Sequence, residues 1–254
     1  MTPCAWRWPG SFVAALPFQS FRLQPGAFDA AIVDLDGTMV DTLGDFVAAI
    51  NRMLGDLWPE PLTAPIVDAA TVESMVGKGS ENLVRSVLNH AQVQVKLAQA
   101  AIDLVATYDH AFARYQHHYR IVSGQYSSVY PGVPEGLRAL QVAGLKLACV
   151  TNKPVAFARP LLVLKGLDGF FSEVFGGDSF ERKKPDPLPL LKTCEALGTL
   201  PARTLMIGDS SNDATAARAA GCPVVLVTYG YNHGAPVRGV DADGFVDSLA
   251  ALAD

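Results

Sequence analysis

The feature that most constrains this chain is a series of short apolar runs, each stopping at a polar or glycine-containing turn. They lie at 30–35, 145–150, 174–175, 204–207 and 224–227. Most do not alternate with polar residues, as expected of strands buried on both faces of a parallel sheet. Helical patterns separate them. The stretch 134–144 opens with Pro134 and closes at Gly144, and 187–198 places Leu190, Leu191, Cys194 and Leu197 on one side. The alanine-rich stretch 213–221 ends at Gly221. The pattern over 155–165 contains Pro160, which either kinks the helix or marks its first turn. Strands alternating with helices of this length predict an α/β fold, a Rossmann-like doubly wound parallel sheet.

One segment breaks the alternation. Between 42 and about 124 no strand pattern occurs. Phe46, Ile50, Met53, Leu54 and Leu57 repeat at helical spacing, as do Leu97, Ala101, Leu104, Val105, Tyr108, Phe112, Tyr115 and Tyr119. Shorter helices are expected near 63–75 and 80–90. This reads as an all-helical cap inserted at 42–123 into a core made of 27–41 and 124–254, with residues 1–26 as an unassigned extension. In that extension the positive region is thin, Pro17 interrupts the apolar stretch, and no small-x-small cleavage site follows. A frayed extension or an upstream start codon fits better than a signal peptide.

Composition narrows the function classes. Half of the 254 residues are apolar and 18% are charged, enough to bury a full core without staples. The formal net charge is −5, without an extended basic run, so a nucleic-acid partner is not expected. No stretch of about 18 apolar residues occurs, so no membrane-spanning helix is expected. The four cysteines, at 4, 149, 194 and 222, have no C-x-x-C spacing. They read as reduced thiols in a reducing, cytoplasmic setting.

Four motifs sit at predicted strand ends, where open α/β sheets bind ligands. Asp34-Leu35-Asp36-Gly37-Thr38 follows the first run. Carboxylates at i and i+2 on extended chain point to the same side, and their repulsion calls for a cation or a shared proton. Thr151-Asn152 offers a hydroxyl and an amide to phosphate oxygens. Lys183-Lys184-Pro185 holds a cation before a rigid turn, with Lys184 the better candidate and Lys183 the solvated one. Gly208-Asp209-Ser210-Ser211-Asn212-Asp213 places two carboxylates four apart, suited to a hard divalent cation such as magnesium. Asp213 is also a candidate N-cap, and both roles can coexist. The loop Gly77-Lys78-Gly79 puts an ammonium where the chain can approach a ligand closely.

On these motifs the chain resembles the haloacid dehalogenase superfamily of phosphotransferases, and within it the phosphoglycolate phosphatases. Met75 to Gly79, Gly208 to Gly221 and Gly230-Tyr231-Asn232-His233-Gly234 carry the finer likeness. The insertion is similar to that superfamily's C1-type cap. The resemblance implies that Asp34 attacks phosphorus and becomes an aspartyl-phosphate, and that Asp36 acts as general acid, then base. Thr151 and Asn152 would hold phosphoryl oxygens, and Lys184 would balance charge. Mg2+ would be bound by Asp34, the Asp36 main-chain carbonyl and Asp209, with Asp213 in support. Lys78 would meet the carboxylate of a small substrate such as 2-phosphoglycolate. The implied partner is a small phosphorylated metabolite, with neither membrane nor nucleic acid, acting on a monomer or homodimer. A sugar phosphomutase and a non-catalytic binding protein on the same fold are the rival readings. Asp36 argues against dehalogenase chemistry, which lacks a second aspartate.

Overall fold

The computed structural model describes residues 21–58, 64–97 and 107–252. Six parallel strands form the central sheet: β1 (Ala30–Val33), β4 (Lys146–Val150), β5 (Glu173–Phe175), β6 (Thr204–Gly208), β7 (Val224–Val227) and β8 (Gly244–Val246). Their spatial order is β5-β4-β1-β6-β7-β8, so the first strand lies in the middle. Registers such as Val33 opposite both Cys149 and Ile207 bring the strand ends level along one edge.

Alternation along each strand divides the core. Ala31, Val33, Leu147, Cys149, Leu205 and Ile207 pack to one face, under α5 (Val133–Val142) and α6 (Val155–Leu164). Ile32, Val150, Met206 and Leu226 face the other way, under α7 (Leu188–Leu197) and α8 (Ser211–Ala220). Each fully buried Leu or Ile contributes roughly 1.5–3 kcal/mol of transfer free energy. Cys149, Cys194 and Cys222 are buried free thiols, while Cys4 lies outside the described residues.

The segment between the first two sheet strands forms a second core of its own. It comprises α1 (Leu43–Leu57), α2 (Ala69–Glu73), α3 (Ser80–Leu97) and α4 (Tyr108–Val122). Ile50, Met53, Leu54, Val84, Leu88 and Tyr115 form its centre. The chain enters and leaves this unit through a two-stranded antiparallel ribbon of β2 (Val40–Asp41) and β3 (Ser128–Val129), with Val40 opposite Val129.

Several elements differ from the sequence expectation. The helix expected over 63–75 is only α2. Asn51 exchanges side-chain hydrogen bonds with both backbone groups of Val67, which holds that chain extended. Asp68 then caps the helix by accepting from Thr71 N. The helix expected over 80–90 runs on to Leu97. The period seen from Leu97 to Tyr119 is described only from Tyr108 onward, and residues 98–106 lie outside the described set. Pro160 sits in the interior of α6 rather than in its first turn. The end of the unassigned extension packs on the sheet domain: Phe21 N donates to Phe245 O, and Leu23 N to Leu252 O at 3.3 Å. The rest of it, residues 1–20, lies outside the described residues.

Candidate active site

The four motifs converge at the carboxyl edge of the sheet. Asp34 follows β1, its backbone N donating to Ile207 O at 2.9 Å, and the residue is 8% exposed. The chain then folds tightly. Met39 N and Val40 N both donate to Leu35 O, and Gly37 N donates to Val40 O. Gly37 has φ +81°, and a Cβ there would lie 2.9 Å from Asp209 Cγ and from Tyr231 Cδ2, so only glycine fits.

Lys184 is the hub of the acidic cluster. Its Nζ donates to Val150 O at 2.8 Å and to Asp213 Oδ1 at 2.7 Å. It also lies 2.9 Å from Asp34 Oδ1, an ion pair whose geometry leaves that buried oxygen without an aligned donor. Burial pushes the Asp34 carboxyl up to about 7, with Lys184 opposing and Asp213 adding to the rise. Burial also holds Asp209 well above the usual carboxylate range, reinforced by Asp213 and Asp34. For Lys184, burial pulls the ammonium down, but Asp213 and Asp34 outweigh it and keep it above its ordinary value.

Oxygen atoms of Asp34, Asp209 and Asp213 all lie within 4.8 Å of one another, and all three residues are buried. Three carboxylates and one ammonium leave net negative charge out of water, which a hard divalent cation relieves. The donor set is therefore the right chemistry for such an ion. Asp209 Oδ2 accepts from Tyr231 N at 2.8 Å. Asp213 is not the N-cap of α8. Ser210 is, and Asp213 at the third helical position completes a capping box by accepting from Ser210 N at 3.1 Å. Both Asp213 oxygens thus already accept hydrogen bonds, which suits it to supporting an ion rather than dominating its coordination.

Thr151, Asn152 and Lys153 follow β4 and are all buried. Thr151 Oγ1 accepts from Lys153 N at 3.2 Å, leaving its own proton to donate. Asn152 differs from what the resemblance implied. Its Nδ2 donates to Lys184 O at 2.8 Å and Gly77 O at 3.0 Å, so only the acceptor Oδ1 remains, buried and unpartnered. Its side-chain amide ties two loops together.

Lys78 also departs from the expectation. Gly77 and Gly79, at φ +106° and +90°, turn the chain so that Lys78 is exposed and absent from the cavity wall. Backbone carbonyls face inward instead: Asn212 Nδ2 donates to Gly77 O at 3.0 Å, and His233 Nδ1 lies 2.6 Å from Val76 O. Lys183, expected to be solvated, pairs with Glu81 of α3 at 2.9 Å.

Two further residues were missed by the sequence reading. Lys153 Nζ lies 2.5 Å from Asp36 Oδ1, which also accepts from Thr42 Oγ1 at 2.7 Å. A cation directly after Thr151-Asn152 was the signal for it. Tyr231 O–H donates to Asp41 Oδ1 and accepts from Thr42 N and Leu43 N. Nothing in its local sequence marks that long-range contact. The resulting cavity is closed over by Phe46, Tyr115 and Tyr119 of the helical unit.

Known proteins match this arrangement. The family model described as haloacid dehalogenase-like hydrolase matches residues 31–227. A plasmid-encoded phosphoglycolate phosphatase of Cupriavidus necator is 45% identical over 223 residues, 88% of this chain and 90% of that protein. The phosphoglycolate phosphatase of Thiobacillus denitrificans is 42% identical, over 90% of this chain and 96% of its own. Among solved structures, a predicted phosphoglycolate phosphatase from Haemophilus somnus 129pt is similar with TM-score 0.79 and 35% identity, covering 88% of this chain and 96% of that one.

Proposed function

The chain belongs to the haloacid dehalogenase-like hydrolase family, and from that premise we propose that it is a magnesium-dependent phosphatase that converts 2-phosphoglycolate to glycolate and phosphate through Asp34. The observation that carries this reading is the buried Asp34 oxygen, held beside Lys184 and two further carboxylates without an aligned donor. Relatives named phosphoglycolate phosphatase, alike over most of the chain, support hydrolysis over sugar-phosphate isomerisation.

In the first step an Asp34 carboxylate oxygen attacks phosphorus in line while the bond to the leaving oxygen breaks. Asp36 delivers its proton to the leaving alkoxide. In the second step Asp36 takes a proton from water, the water oxygen bonds to phosphorus, and the Asp34 carboxylate is released with phosphate. Lys184 stays charged throughout and offsets the negative charge that gathers between Asp34 and the phosphoryl oxygens. The Thr151 hydroxyl donates to one of those oxygens. Asp34 and Asp209, supported by Asp213, would hold the magnesium ion, which supplies Lewis-acid withdrawal of charge from the transferring phosphoryl group. The helical insertion excludes bulk water from the first step and shapes the substrate site.

Phosphate release from 2-phosphoglycolate with magnesium, with chelator, and in Asp34→Asn tests the reading. Chelation and the substitution should each lower turnover by at least about a thousandfold. Ordinary turnover by Asp34→Asn, or unchanged turnover in chelator, would refute it.

A further inference from the structure

Lys153 is a buried cation that the reaction above does not use. Its side chain is 3% exposed, and its Nζ lies beside the stacked Phe46 and Tyr119 rings, 4.7 and 5.2 Å from their centroids. Among the described residues its one anionic contact is Asp36, at 2.5 Å. The other ammonium lining the cavity, Lys184, is shared between Asp34 and Asp213. Lys78 is exposed and lines nothing there. Among the described residues, Lys153 is therefore the lysine of the cavity wall not already held by the acidic cluster.

Its position defines what it can meet. The phosphoryl group must sit against Asp34, and the leaving oxygen must sit against Asp36. Whatever the leaving group carries one or two bonds further on arrives beside the cation that contacts Asp36. Resting on the phosphatase reading, we infer that Lys153 is the specificity-determining residue for a carboxylate on the leaving group, which replaces Asp36 as its counter-ion. The substrate class this selects is small 2-phosphooxy carboxylates, since Phe46, Tyr115 and Tyr119 line the cavity around Lys153.

The exchange works through desolvation. A buried ammonium without an anion is costly, so Asp36 leaves Lys153 only when another anion takes its place. A substrate carboxylate provides that anion, and the two ring faces favour the cation staying where it is. Asp36, still held by the Thr42 hydroxyl, then takes a proton from solvent and turns to the leaving oxygen. A neutral ester offers no replacement. Asp36 remains paired, and the ester lacks both binding energy and its general acid. Discrimination is thus expected in kcat as well as in KM.

The experiment compares 2-phosphoglycolate with 2-hydroxyethyl phosphate, in which a neutral hydroxymethyl group replaces the carboxylate. The wild-type protein, Lys153→Met and Lys153→Arg are assayed for kcat and KM on both. The wild-type protein should prefer the acid by at least about a hundredfold in kcat/KM. In Lys153→Met that preference should fall below about tenfold, and in Lys153→Arg most of it should return, since the charge is restored. If Lys153→Met lowers both substrates equally, Lys153 only props Asp36 in place and the inference falls while the phosphatase reading stands. A wild-type protein that hydrolyses both esters alike also overturns it. A wild-type protein that releases phosphate from neither sinks the phosphatase reading and this inference with it. Should the methionine variant not fold, Lys153→Gln, equally uncharged, is assayed in its place and read by the same two outcomes.

Discussion

At Asp34, burial and the neighbouring Asp213 carboxylate push the carboxyl from 3.8 up to about 7, against the pull of Lys184. A carboxyl raised on folding favours the fold when it is protonated in both states. That contribution is full below about pH 4 and is lost as pH rises toward 7. In chelator, Asp34→Asn should therefore melt above the wild-type protein at pH 8, by a margin on the order of a few kcal/mol. The margin should shrink at pH 5, and thermal scans at the two pH values check it. A margin that is the same at both would refute the assignment. At this scale the sequence was most informative where a strand end met a short polar motif. Asp34, Asp36, Lys184, Asp209 and Asp213 were all readable that way, because strand ends fall on one edge by geometry. Asn152 and Lys78 were not, because the partner of an amide or an ammonium depends on which loop arrives from elsewhere. Gly77 O, supplied by the helical unit, and Lys184 O accept the hydrogen bonds of the Asn152 side-chain amide.

The loop at 76–79 is the element that seals the cavity. Gly77 O receives Asn152 and Asn212, Val76 O receives His233, and Lys183 meets Glu81 at the start of α3. Gly77 holds φ +106°, and a Cβ there would lie 2.6 Å from His233 Cε1. Gly77→Ala should strain the loop by about 1–2 kcal/mol and displace it from His233. Steady-state assays should show kcat/KM for 2-phosphoglycolate reduced at least about fivefold. Far-UV circular dichroism should be unchanged, because the site lies outside every regular element. Tyr231 is the corresponding device at the ribbon. Tyr231→Phe removes one hydroxyl that serves Asp41, Thr42 and Leu43. Urea unfolding should show a loss of about 1–3 kcal/mol. Among elements, the buried sheet strands were legible as apolar runs, whereas β2, β3 and β8 were not. Two or three residues are too few to carry a period, and β2 and β3 exist only because they pair with each other. The shortness of α2 was equally hidden, since it depends on Asn51 reaching across to Val67.

Across the whole molecule, the parallel sheet gathers negative charge at one buried edge, and the fold tolerates it through Lys184 and, in the proposed enzyme, a bound cation. Binding to the folded state alone raises stability by about 2.7 kcal/mol at one hundred times the dissociation constant. Magnesium should therefore raise the melting temperature of the wild-type protein in a concentration-dependent way. Asp209→Asn should abolish most of that rise, as thermal scans across a magnesium series would show. The ribbon of β2 and β3 has one more consequence. The two crossings between sheet and helices are laid side by side and bonded to each other, Val40 against Val129 and Asp41 against Ser128. Two tethers joined at one place bind the helical unit to the sheet domain more firmly than two separate linkers would. An opening of the helical unit that frees the rim at Val76 and Gly77 must then break the hydrogen bonds that His233, Asn152 and Asn212 make to it.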